Sequence, residues 1–281
     1  VAAHHHFFDR KVNGLLSLFT NEKPVIGMLH LPALPGSPQN KLPVEAILEW
    51  VLEDAGALAN GGIDGLMLEN FGDIPFYPRR VPAHTVAFMT AIGREIKRRF
   101  DLPLGINVLR NDAESAVAIA SAVPGEFIRV NVHIGARVTD QGIVEGTAHR
   151  TLRYRNLIGS SVRIFADADV KHSAPIAGRD LKTEVEELAT RGCADAVIIT
   201  GAATGRETAL KDLRAAKSAA AGTPVFAGSG VNAENIGSVL KIADGVIVGT
   251  ALKRDGLATN PVDRERTLTF MESARKKRIL S

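Results

Sequence analysis

Pro224-Val-Phe-Ala-Gly-Ser-Gly-Val231 and, further on, Ala243-Asp-Gly-Val-Ile-Val-Gly-Thr250 decide the fold. Each is a short apolar run that ends in glycine where a helix is expected to begin. Glycine lets the backbone approach a ligand closely, and a following helix N-terminus offers N–H groups and partial positive charge. Two such turns on adjacent parallel strands hold one phosphate between them, which is where (β/α)₈ barrels place it, after their last two strands. Gly228, Ser229, Gly230, Gly249 and Thr250 are therefore the expected phosphate-binding residues.

The rest of the chain fits that ending. Apolar runs at Val25–Leu29, Gly65–Leu68, Leu104–Val108, Phe127–Val132, Val162–Ala166, Ala196–Thr200, Val225–Ala227 and Gly245–Val248 alternate with amphipathic stretches from Val44–Ala59 to Ala233–Leu240. Eight βα units with right-handed crossovers close a barrel. The expected fold is an α/β (β/α)₈ TIM barrel in one domain over residues 24–281. Residues 1–23 read as an N-terminal extension with a short helix, in which His4–His6 look like a tag remnant or flexible tail rather than a metal site. Helix-to-strand links are short, whereas Leu31–Pro43, Asn70–Pro82, His133–Gly146 and Lys171–Asp180 are long. All four fall on the C-terminal face, where barrel enzymes keep their sites.

Composition narrows the class. The 281 residues carry 34 Lys+Arg against 31 Asp+Glu, a net charge of +3 that does not argue for nucleic acid. The single Cys193 excludes an internal disulfide and suits a reducing compartment, so the reading is cytoplasmic. No apolar run is long enough to span a membrane and no signal peptide is visible.

Strand alternation puts a polar residue at the end of six strands: His30, Glu69, Asn107, Asn131, Asp167 and Thr200. The residues two positions earlier, such as Met28, Met67, Gly105, Phe165 and Ile198, share the same face and are apolar or glycine. That pattern is an apolar barrel interior crowned by a polar ring. The densest chemistry is Phe165-Ala-Asp-Ala-Asp-Val-Lys-His172. Asp167 is the expected general base, or the group that orients one, and Glu69 the complementary acid from across the barrel. Lys171 is a proton carrier or electrophile, while His30 joins the catalytic set or orients substrate. Asn107, Asn131, Asp169, His172 and Thr200 are expected to bind substrate. A bland alternative stands beside this, that Asp167 and Lys171 pair only with each other. No cofactor is required. A divalent metal has oxygen and nitrogen donors in His30, Glu69, Asp167 and Asp169, but no ligand spacing behind it, so the assignment of metal ligands is none.

Arg129 shares the inward face of Asn131, and a charge inside a barrel is costly unless paired. The register predicts that it pairs with Glu69 or Asp167. Arg163 has the same parity but starts its strand, where it escapes at the bottom. Thr200-Gly-Ala-Ala-Thr-Gly205 offers a third side to the phosphate pocket. Trp50, near Ile47, Leu48 and Val51, reads as a helix packing face rather than a ligand platform. Arg275-Lys-Lys-Arg278 reads as favourable charge at a helix C-terminus.

The opening Pro24-Val-Ile-Gly-Met-Leu-His-Leu-Pro-Ala-Leu-Pro-Gly-Ser-Pro38 resembles that of the BtpA family, which includes SgcQ-like proteins. The resemblance continues through Gly65–Asp73, Gly105–Asp112, Ile128–Val132, Ala166–Ser173 and Gly228–Val231, covering nearly all the chain from about residue 20. It implies a barrel of the ribulose-phosphate-binding group, akin to phosphoribosylanthranilate isomerase-like enzymes. It also implies a role in photosystem I biogenesis for some members, peripheral to a membrane. Two expectations follow. One is a barrel that binds, and transforms by isomerisation, cleavage or hydrolysis, a small phosphorylated sugar or nucleotide-like compound. The other is an assembly factor for a membrane complex, docking through Phe71, Phe76, Tyr77, Arg79 and Arg80 with peripheral membrane association. A homo-oligomer fits either.

Overall fold

Eight parallel strands close on themselves in this computed structural model, which describes residues 14–170, 172–201 and 209–278. In chain order the strands are β1 (Val25–His30), β2 (Gly65–Glu69), β3 (Leu104–Asn107), β4 (Phe127–Val130), β5 (Ala136–Thr139), β6 (Gly142–Glu145), β7 (Arg163–Ala168), β8 (Ser173–Pro175), β9 (Ala196–Ile199), β10 (Val225–Ala227) and β11 (Gly245–Val248). The barrel runs β1-β11-β10-β9-β7-β4-β3-β2 and back to β1. The outer helices are α1 (Val44–Gly61), α2 (Ala83–Arg99), α3 (Ala113–Ala122), α4 (Ala148–Leu157), α5 (Leu181–Thr190), α6 (Leu210–Ala219), α7 (Ile236–Leu240) and α8 (Arg264–Arg278). No helix among the described residues is long and apolar enough to cross a membrane.

Period-two alternation sorts the strands as expected. One parity, including Leu29, Leu68, Ile106, Ile128, Ile164 and Val197, packs outward against the helices. The other fills the barrel: Ile26, Met28, Met67, Phe127, Phe165, Ala196, Ile198, Phe226 and Ile247. Phe127 stacks on Phe165 at 4.7 Å between centroids, and Phe165 meets Phe226 at 5.0 Å. These rings fit because the facing positions on neighbouring strands are glycine. A Cβ at Gly105 would strike the Phe127 ring, and one at Gly245 the Phe226 ring. Leu15 and Phe19, from the segment before β1, complete this same cluster. Residues 14–19 thus contribute to the barrel core, while His4–His6 lie outside the described residues.

A fourfold clamp holds the bottom of the barrel. The residue before every second barrel strand is acidic: Asp64, Glu126, Asp195 and Asp244. Its carboxylate accepts the N–H of Val25, Leu104, Ile164 or Val225 on the preceding barrel strand. Its own N–H donates to the carbonyl of that same residue. Each strand pair is therefore locked in register by two bonds at its base. Arg163 lies down here beside Asp195 at 3.6 Å, half in solvent.

The top departs from expectation in two places. The loop after β4 has no helical or apolar period, yet it folds as the hairpin β5–β6, and β8 adds to it as an antiparallel neighbour. The result is a small three-stranded cap over one side of the C-terminal face. Beyond β10, the stretch expected to be helical over Ala233–Leu240 forms only the five residues of α7, after a turn closed by Asn232 and Asn235.

Candidate functional site

The polar ring assembles at the C-terminal mouth. Arg129 points inward and grips Asp167: Nε lies 3.1 Å from Oδ1, and Nη2 3.1 Å from Oδ2. The Asn131 amide donates to Oδ2 at 2.7 Å, and the Asn107 amide donates to Asn131 Oδ1 at 3.2 Å and to the Arg129 carbonyl at 3.1 Å. Burial opposes the charge on Arg129, but Asp167, with Glu69 beyond it, outweighs burial and holds the guanidinium above its ordinary pKa. The Asp167 side chain is wholly enclosed. Four residues from three strands thus make one hydrogen-bonded layer just beneath the mouth. Among the described residues nothing bonds to Asn107 Oδ1, which is buried in that layer.

Above this layer lies a cavity of about 250 Å³ on the β1, β2, β10 and β11 side. His30, Glu69, Phe71 and Arg129 form one wall, and Gly228–Asn232 with Gly249–Ala251 form the other. His30 Nδ1 lies 2.9 Å from the Ala258 carbonyl. A carbonyl only accepts, so Nδ1 carries the proton and Nε2 turns toward Glu69, 3.7 Å from Oε1. The imidazole is fixed from the other side by Phe71, whose ring stacks on it at 4.3 Å. The geometry sets an imidazole nitrogen and a carboxylate side by side on the wall of the cavity.

The two glycine turns meet at this cavity, though Gly228 and Gly249 also answer to the barrel. A Cβ at Gly228 would collide with Ile198, and one at Gly249 would come within 3.1 Å of the His30 ring. The Gly228 N–H is taken by the Ile199 carbonyl, while Ser229 Oγ accepts the Gly201 N–H and so ties the β10 turn to the end of β9. A 3₁₀ turn begins directly at Thr250, so its N-terminus faces the cavity. The β10 turn has no such helix at its end.

The remaining expected residues sit elsewhere. Asp169 adopts a positive φ of 51° and turns outward to Arg137 under the cap. Arg137 is shared with Glu184, so this cluster braces β5 against α5. His172 is exposed beside the same cap, and the Thr200 hydroxyl donates to the Asp169 carbonyl at 3.4 Å. Lys171 and residues 202–205 lie outside the described residues.

Two cations were not singled out by the sequence. Arg266, early in α8, lines the cavity, its Nε donating to the Ala251 carbonyl at 3.0 Å. Among the described residues no carboxylate pairs with it. Arg110, buried in the short loop after β3, has its pKa lowered by burial against the pull of Asp167, Asp140 and Glu69. The only sequence signal for Arg110 was a basic residue just beyond a strand end. Arg266 comes from a helix beyond the last strand and carried none. No cluster of His, Cys, Asp or Glu suited to a metal ion occurs among the described residues.

The loop from β11 to α8 is anchored from below. Lys253 Nζ is buried 2.6 Å from Asp54 Oδ2, and the other Asp54 oxygen accepts the Val262 N–H. This bond pair fixes both ends of the segment that brings Ala258 onto His30.

Comparison with known proteins agrees with this architecture. The model of the BtpA family matches residues 21–276. The photosystem I biogenesis protein BtpA of Synechocystis is 46% identical over 259 residues, covering 92% of this chain and 90% of that protein. An uncharacterised protein of Archaeoglobus fulgidus is 47% identical over 254 residues, 90% of this chain and 99% of the relative. Among solved structures, N-(5'-phosphoribosyl)anthranilate isomerase from Pyrococcus furiosus superposes with a TM-score of 0.55 at 14% identity, over 90% of this chain and 99% of that one. That last likeness is one of fold.

Proposed function

We propose that this chain, which belongs to the BtpA family, binds a small phosphorylated sugar or nucleotide-like metabolite at the mouth of its barrel and moves a proton on it. The observation that carries this reading is the meeting, in one cavity, of the Gly228–Gly230 and Gly249–Thr250 turns with the His30–Glu69 pair. The phosphate would lie against the 3₁₀ turn at Thr250, with Arg266 supplying positive charge from the side. His30 Nε2 is the base and Glu69 takes up or returns the proton, since both face the cavity. Asp167 has a supporting part: held by Arg129 and Asn131, it fixes the floor on which the substrate rests.

Several neighbours in fold fit the proposal, among them the isomerase whose name specifies a phosphoribosyl substrate. Thermal unfolding with inorganic phosphate, sugar phosphates and nucleotides tests it. A ligand at about 100 times its Kd adds about 2.7 kcal/mol, a rise of about 5 °C for a chain of this size. Thr250→Asp and Arg266→Gln, both at accessible positions, should abolish or weaken the shift. Absence of any shift in the wild type defeats the proposal.

The name of the Synechocystis relative supports a second reading, a part in assembling a membrane complex. Ile74 and Tyr77, exposed in the loop after β2, offer it a surface. Phe71 of the same loop is committed to His30 instead.

A further inference from the structure

A second cavity, of about 330 Å³, adjoins the first and shares His30 and Phe71 with it. Its wall is apolar: Leu31, Pro32, Ala33, Leu42, Trp50 and Ile74, with Gln39 and Thr259 at the edge. Apart from the shared His30, no ionisable side chain lines it. Trp50 is the single tryptophan of the chain and stands on α1. It is half-buried and lies outside the core cluster that takes up Ile47, Val51 and Leu52 of the same helix. Trp50, read from the sequence as part of a helix packing face, lines this cavity. Ile74 is 47% exposed on the opposite loop. A half-buried indole and an exposed isoleucine facing one hollow are an unfilled apolar contact.

Size points the same way. Small-molecule sites usually span about 300–1,000 Å³. The phosphate-side cavity alone falls below that range, and the two together fall inside it. The stacked His30 and Phe71 rings line both cavities, so a ligand that reaches past them occupies both, with its reacting bond near His30.

We infer that this apolar annexe takes an uncharged aromatic or branched apolar group of the same ligand, so that the substrate class is a phosphate ester or phosphorylated sugar bearing such a group. This rests on the phosphate-binding reading of the neighbouring cavity. Binding of methyl phosphate and phenyl phosphate, measured by calorimetry with Trp50 emission followed in parallel, separates the two. Phenyl phosphate should bind about tenfold to a hundredfold more tightly, the range expected for burying one ring. It alone should shift Trp50 emission. Ile74→Asp, at an exposed position, should remove the advantage of the phenyl compound and leave methyl phosphate unchanged, and Trp50→Ala should do the same. Equal affinity for the two compounds, or an advantage that survives both substitutions, overturns the annexe and leaves the phosphate site standing. Failure of both compounds to bind removes the phosphate site and the annexe with it.

Discussion

Replacing Arg129 by methionine tests the layer beneath the site. In the folded protein two bonded contacts at 3.1 Å join the guanidinium to Asp167, and both side chains are almost wholly out of solvent. At that distance, with an effective dielectric near 20, the attraction is about 5 kcal/mol. Arg129→Met deletes it and leaves the enclosed Asp167 with the Asn131 amide, at 2.7 Å, and the longer-range pull of Arg110 to answer its charge. Breaking such a buried pair from one side costs about 3–5 kcal/mol. For a barrel of this length that is a fall in Tm of about 6–10 °C, at ~2 °C per kcal/mol. Adding Asp167→Asn removes the stranded charge while the new amide oxygen still accepts from Asn131. The double variant should therefore recover more than half of the loss, a coupling well beyond the additive expectation. Scanning calorimetry on the four proteins of the cycle measures it. A single variant that loses less than about 1 kcal/mol, or losses that simply add, would refute the argument that Arg129 and Asp167 form a strongly coupled buried pair.

The remaining expectations are shorter. His133 is buried with Nε2 against the Gly192 carbonyl, and burial lowers its pKa below 6.5. The unfolded chain then binds the extra proton more readily, so this contribution to stability is complete above pH 6.5 and is lost as pH falls through the lowered folded value. Tm against pH should show that decline in the wild type and a flatter curve in His133→Gln; parallel curves would count against it. Lys253→Met strands Asp54 in the interior, and should cost about 3–5 kcal/mol in urea unfolding. It should also weaken ligand binding, because the segment carrying Ala258 to His30 is loosened; normal binding in a destabilised variant would show that the loop does not depend on this anchor. Gly249→Val should displace the His30 ring, which a Cβ already approaches at 3.1 Å, and reduce ligand affinity with little change in Tm. Unaltered affinity there would place the ligand away from His30.

The sequence by itself determined the barrel. Eight apolar runs ending in glycine or a polar residue were enough, because strand alternation is a local property with a period of two, and the eight observed strands begin and end within a residue or two of those runs. The same parity put His30, Glu69, Asn107, Arg129, Asn131 and Asp167 on the inner face before any partner was known. It also required Arg129 to find an acid inside. Which acid it found was a tertiary outcome. Glu69 and Asp167 were equal candidates by parity, and only barrel closure, which sets β4 beside β7 and β1 beside β2, gave Asp167 to Arg129 and Glu69 to His30. Asp169 was drawn away from the axis by one left-handed residue at the end of β7, a choice that no side-chain pattern encodes. The hairpin β5–β6 lies in one loop with no apolar period, and its neighbour β8 comes from another loop, so neither shows as a repeating segment. Arg266 and Trp50 joined cavity walls from helices that are remote in sequence from the strand ends. Periodicity records which way a side chain faces relative to its own backbone; what it faces is settled only when distant elements close around it.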